Sequence, residues 1–97
     1  MMPVWGRDME LSCCREILVL SRCLNFGDAA EQLYITQSAL SKHVAAAEKE
    51  LGFRIFDRST TKVELTEAGE VFVENLHDVL ESYDRAVEAV CNIHDLA

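Results

Sequence analysis

Positive charge is scarce in this 97-residue chain: 9 basic side chains stand against 17 acidic ones, a formal net charge of -8. Acidic surfaces repel duplex nucleic acid, so the overall balance argues against such a partner. The distribution weakens that objection. Residues 1–33 carry 3 basic and 5 acidic groups, residues 34–63 carry 5 and 3, and residues 64–97 carry 1 and 9. A polyanion would therefore be met by the mildly basic middle third. Other features are missing outright. The four cysteines, Cys13, Cys14, Cys23 and Cys91, form no CxxC pair and have no His cluster at ligand spacing, which leaves metal binding without support and no cofactor implied. They read as small apolar filler in a reducing cytosol, with a redox-sensing thiol as the alternative. No run of about 18 apolar residues could span a membrane, and the opening MMPVWGRDME lacks the apolar stretch of a signal peptide. The expectation is a soluble cytoplasmic chain. Neither a nucleophile elbow, a glycine-rich phosphate loop nor a paired-carboxylate constellation is present, so catalysis has no candidate residues.

What is there is periodicity. Nearly half of the residues are apolar, enough for one compact domain without disulfides or metal but not for two. Residues 1–9 hold the only proline and the only tryptophan, show no pattern and are expected to be a poorly ordered extension. From Leu11 to Leu24 the apolar residues recur three or four apart, which predicts an amphipathic helix stopping at Asn25. Asn25 or Asp28 then caps a short second helix through Ala29, Ala30 and Leu33. Thr36 is a favourable N-cap for a third helix that runs to Leu51 and stops at Gly52. Within it Leu40, Val44, Ala47 and Leu51 form one inward stripe, while Ser38, Ser41, Lys42, Ala45 and Lys49 share the opposite side.

Beyond Gly52 the period changes to two. Phe53 and Ile55 flank Arg54, and Val63 and Leu65 flank Glu64, which predicts a two-stranded wing. Its turn, Ser59-Thr60-Thr61, lacks an Asn-Gly or Asp-Gly pair, so a looser loop is the alternative. Thr66 caps a last, long helix. Along it Val73, Leu76, Leu80, Tyr83, Val87 and Val90 follow a three-four-three-four-three seam, and so small a core is expected to leave that seam for a partner chain. The acidic residues of this helix are expected to line solvated faces. The division expected is an extension at 1–9, a mainly α winged helix-turn-helix at 10–66 with a three-helix core and a two-stranded wing, and a linker and dimerisation helix at 67–97.

Four segments in this order and spacing, NFGDAAEQL at 25–33, TQSALSK at 36–42, EKELG at 48–52 and LTEAG at 65–69, resemble the N-terminal DNA-binding domain of LysR-type transcriptional regulators. The resemblance covers residue 10 to the end. It implies a homodimer joined by antiparallel linker helices, with two third helices in successive major grooves of an interrupted palindrome in a promoter or operator. It also implies that a small-molecule effector acts through a C-terminal domain, and that this chain, ending at Ala97, is the DNA-binding fragment of such a regulator. By the same resemblance Gln37, Ser38, Ser41 and Lys42 face base edges or adjacent phosphates. Short polar residues near a reading helix's N-terminus suit that task, because bases are distinguished by donors, acceptors and the thymine methyl. Lys42 departs from the arginine often found there, which removes the forked contact to guanine. Ala45 either touches a thymine methyl or only favours the helix. Candidate phosphate contacts are the Thr36 hydroxyl, Lys42, Arg58 and Lys62, the resemblance pointing most directly to Arg58. Arg54 and Lys49 serve equally well as solvated surface charges, and His43 has a surface or boundary role. The competing reading is a winged-helix protein-interaction module without DNA affinity, which the net charge and the alanines at 45–47 permit.

Overall fold

The computed structural model describes residues 9–59 and 61–94. Among these, the order is α1 (Leu11–Cys23), α2 (Phe26–Leu33), α3 (Gln37–Leu51), β1 (Phe56–Asp57), β2 (Glu64–Leu65) and α4 (Glu67–His94). The expected extension at 1–9 lies outside the described residues as far as residue 8, and Met9 packs against the core.

Each helix boundary has a local cause. Leu24 adopts a left-handed conformation (φ 50°) and returns its N–H to the Leu20 carbonyl at 2.7 Å, which closes α1. Of the two candidate caps for α2, Asn25 is the one used: its side chain accepts from the Asp28 N–H at 2.9 Å. Tyr34 ends α2 in the same left-handed region (φ 57°), and Ile35 returns its N–H to the Ala30 carbonyl at 3.1 Å. The Thr36 hydroxyl accepts from the Ala39 N–H at 3.0 Å and starts α3, which Gly52 (φ 86°) ends.

The core joins Cys14, Ile17, Leu18 and Leu20 of α1 to Ala29 and Ala30 of α2, the whole stripe Leu40, Val44, Ala47 and Leu51 of α3, then Ile55, Phe56, and Leu76 and Leu80 of α4. The two alanines let α2 lie close to its neighbours.

The wing differs from its expected form. The first strand is Phe56–Asp57, not the 53–55 stretch, and it pairs antiparallel with Glu64–Leu65 in the register Phe56 to Leu65 and Asp57 to Glu64. Ile55 and Phe56 are both buried, so the period of two fails there. The reason is a side chain: the Glu48 carboxylate accepts the Ile55 and Phe56 N–H groups at 2.7 and 3.1 Å and turns both residues inward. The expected turn at 59–61 falls partly outside the described residues.

At the start of α4 the Thr66 hydroxyl accepts from the Gly69 N–H at 2.9 Å. Gly69 has no freedom to be anything larger, because a Cβ there would sit 2.1 Å from the Ile55 carbonyl oxygen. This close approach lays α4 across the wing base and against α1. The Phe53 and Phe72 rings meet edge to face at 5.5 Å. Leu76 and Leu80 bury against their own chain, so the folded unit reaches into α4 and does not end at residue 66.

Candidate nucleic-acid interface

The N-terminal turns of α3 expose Thr36, Gln37, Ser38 and Lys42, with Ser41 half-buried and Ala45 and Lys49 exposed one and two turns on. All the apolar residues of the opposite stripe are in the core. The exposed side is thus small, polar and positively charged, with the unpaired N–H groups and positive dipole end of a 15-residue helix behind it. The start of α2 abuts this end: a Cβ on Gly27 would lie 3.6 Å from the Gln37 side-chain oxygen.

The wing brings its own charges. Lys62 is exposed. Asp57 accepts from the Ser59 N–H and hydroxyl at 2.9 and 2.7 Å, and these bonds hold its carboxyl below the usual carboxylate value while folding the chain back after β1. Arg58 is not a freely solvated wing cation. It is 30% exposed, its guanidinium carbon lies 4.5 Å over the Phe26 ring, Nη1 donates to the Ser41 hydroxyl oxygen at 3.2 Å, and Nη2 stands 3.7 Å from Glu48 Oε1. Its Nε is buried without a hydrogen-bond partner. Arg58 therefore fastens the wing to α2 and α3 at the edge of the exposed polar side.

Sequence reasoning missed Glu48 as the centre of this arrangement. One carboxylate oxygen accepts the two backbone N–H groups, and the other faces Arg54 at 3.5 Å and Arg58 at 3.7 Å. A signal existed: Glu48 follows Val44 by four and precedes Leu51 by three, so it falls on the buried stripe, where a carboxylate must find partners. Phe26 was likewise missed as the platform for Arg58. His43 lies at a boundary, its Nδ1 2.7 Å from the mostly buried Glu16 carboxylate, and ties α3 to α1.

The seam on α4 divides. Leu76 and Leu80 are 7% and 4% exposed, whereas Tyr83, Val87 and Val90 are 47%, 48% and 50% exposed. Val73 is half-buried. The first half of the expected pairing surface is covered by α1 of the same chain, because the helix lies alongside α1 up to the Arg15–Asp84 ion pair at 2.8 Å. From just before that ion pair to beyond it, the exposed apolar residues Val79, Tyr83, Ala86, Val90 and Ile93 keep a four-three-four-three spacing on one side.

The cysteines are all free, and no group of three or more His, Cys, Asp or Glu side chains among the described residues could hold a metal ion. Burial, and then the neighbouring Glu16, raise the Cys13 thiol to about 11, and burial raises Cys14. Neither is a ready thiolate for redox chemistry. Among the described residues no helix is long and apolar enough to cross a membrane.

Three packed helices with a capped, polar-faced third helix, a two-stranded wing and a long following helix define a winged helix-turn-helix protein. Residues 14–70 match the model of bacterial regulatory helix-turn-helix proteins of the lysR family. The chain belongs to that family. It is 41% identical over 80 residues to the HTH-type transcriptional regulator BudR of Klebsiella aerogenes, covering 82% of this chain and 56% of BudR. It is 39% identical over 82 residues to the HTH-type transcriptional regulator ShiR of Corynebacterium glutamicum (strain R), covering 84% of this chain and 28% of ShiR. The chain thus spans between 28% and 56% of these relatives' lengths. Among solved structures, the BenM DNA-binding domain in complex with benA site 1 DNA superposes with a TM-score of 0.85 at 29% identity, covering 89% of this chain and 97% of that one. Vibrio fischeri DarR in complex with DNA gives 0.85 at 26% identity, over 93% of this chain and 31% of DarR.

Proposed function

We propose that this chain is the DNA-binding part of a transcription regulator and grips duplex DNA as a homodimer. The observation that carries the reading is the surface of α3: its apolar side is wholly consumed by the core, and what remains is a capped helix start with short polar groups and Lys42. Such a helix fits a major groove, where bulk would prevent approach. Gln37, Ser38, Ser41 and Lys42 are assigned to base edges or adjacent phosphates, Ala45 to close approach at a thymine methyl, and Thr36, Arg58 and Lys62 to the phosphates on either side. Two related DNA-binding domains of the same fold, those of BenM and DarR, have been crystallised on DNA, which supports the assignment.

The outer half of α4 is assigned to pairing. Tyr83, Val87 and Val90 of the original seam, joined by Val79 and Ile93, leave an apolar strip that a second copy would cover. Burial of each large side chain contributes roughly 1.5 to 3 kcal/mol. Val73, Leu76 and Leu80 serve the pairing helix from inside, by fixing it to α1. The acidic residues of α4 stay away from the DNA in this arrangement. The basic middle third then meets the phosphates despite a net charge of -8.

Nuclease protection on DNA from upstream of the chain's own gene tests the reading. Two protected patches about one helical turn apart are expected at low salt. Absence of protection on any such fragment would leave the fold to a protein-interaction role.

A further inference from the structure

We propose that Arg58 acts on the DNA through Ser41 as well as through its own charge: by donating to the Ser41 oxygen it takes one of the two lone pairs and polarises the O–H, which biases that hydroxyl toward donation, so an acceptor is favoured at the base edge facing Ser41. The inference rests on the DNA-binding reading and specifies what one position of α3 recognises. A serine hydroxyl can donate or accept, and left alone it discriminates weakly because it rotates to suit either partner. Here it is not left alone. Arg58 Nη1 donates to Ser41 Oγ at 3.2 Å, and no described residue accepts the Ser41 hydroxyl hydrogen. That hydrogen and one lone pair are left to point outward, and the guanidinium charge beside the oxygen disfavours a second donor at the lone pair.

Arg58 can hold this setting because it is itself held. The Phe26 ring lies 4.5 Å beneath the guanidinium, and Glu48 Oε1 stands 3.7 Å from Nη2. Glu48 is in turn fixed by the two wing N–H groups it accepts. The chain Glu48 to Arg58 to Ser41 links the wing to a single reading position on α3. Arginine suits the place: the planar group lies over Phe26 while its two terminal nitrogens face a hydroxyl at 3.2 Å and a carboxylate at 3.7 Å, a fixed fork that the flexible point charge of a lysine does not reproduce.

In the major groove guanine offers N7 and O6, adenine N7 and thymine O4 as acceptors, whereas cytosine offers only its N4 donor. Ser41 biased toward donation therefore disfavours cytosine at the base it faces. A single neutral hydrogen bond gained or lost at that edge corresponds to roughly a 2- to 10-fold change in affinity.

The test uses the intact chain and the operator defined by footprinting, together with duplexes carrying every single base-pair change and one unrelated duplex. Affinities are measured by fluorescence anisotropy for wild type, Ser41→Ala, Arg58→Lys, Phe26→Leu and the Ser41→Ala/Arg58→Lys double variant. Wild type should disfavour cytosine at one position per half-site, and Ser41→Ala should abolish that preference. Arg58→Lys should abolish the same preference, on top of whatever uniform loss its altered phosphate contact brings equally to every duplex, the unrelated one included. Phe26→Leu should weaken the preference in the same direction, and the double variant should discriminate between bases no less and no more than Ser41→Ala. Retention of the wild-type preference by Arg58→Lys, or a uniform loss across all duplexes in Ser41→Ala, overturns the inference while leaving DNA binding intact. Wild type binding no duplex at all removes the functional reading itself, a result separate from either of these.

Discussion

The two halves of α4 carry the same spacing of apolar residues and meet opposite fates. Leu76 and Leu80 are sealed in the chain's own core; Tyr83, Val87 and Val90, on the same helix, are about half exposed. What separates them is cover. α1 packs on α4, and its Arg15 guanidinium meets Asp84 at 2.8 Å. Up to Leu80 the seam is satisfied within the fold, and from Tyr83 onward it is about half exposed. Spacing reveals that a helix has an apolar side, but not which neighbour covers it.

The comparison is broken most forcefully at Leu80. Leu80→Asp places a carboxylate in the core and should cost on the order of 4 kcal/mol, seen as collapse of the thermal transition. Val90→Asp should leave thermal stability of the dilute chain within about 0.5 kcal/mol while shifting its sedimentation from dimer to monomer. Equal behaviour of the two variants in both measurements would erase the distinction between inner and outer halves.

Gly69 sets the angle at which the inner half meets the core. Gly69→Ala pushes a methyl into the Ile55 carbonyl and should cost roughly 3 kcal/mol in denaturant unfolding, the upper range for overpacking. An unchanged midpoint would show that the crossing of α4 over the wing base is not tight. Glu48 provides the next largest effect. Glu48→Ala strands two buried N–H groups and should cost about 2 kcal/mol, of which Glu48→Gln should restore the larger part by keeping an acceptor. Similar losses in both variants would assign the stabilisation to the arginine pairs instead.

A last effect is chemical and leaves stability untouched. With its thiol raised to about 11, Cys13 should alkylate at pH 8 about 100-fold more slowly than a thiol of ordinary value 9, as followed by mass spectrometry. Labelling of Cys13 at the rate of a free thiol would mean that α1 opens readily where it packs on α3.

Much of this was legible in the amino-acid sequence. Helix caps are local chemistry, so Thr36, Gly52 and Thr66 could be placed from residue type and spacing alone. The Leu40 to Leu51 stripe followed from the 3.6-residue period. What could not be read were contacts between distant segments. The wing strand moved because Glu48, seven and eight residues upstream, claims two N–H groups that a period of two cannot reveal. Arg58 reads as a wing charge in the sequence, whereas its stacking on Phe26 joins residues 32 apart in the chain. The α4 spacing reads as a single surface because a helix's own pattern does not say which neighbour covers it.

In the proposed arrangement two copies, paired through the outer half of α4, each set the start of α3 against duplex DNA. The most direct measurement is the dependence of DNA affinity on salt for wild type and Lys42→Ala, with stoichiometry fixed at saturation. Two chains per operator are expected, with affinity that falls steeply as salt rises and a log–log slope about 2 units shallower in Lys42→Ala, roughly one counterion for each of two reading helices. A single chain per operator, or a slope unchanged by the loss of Lys42, would contradict it.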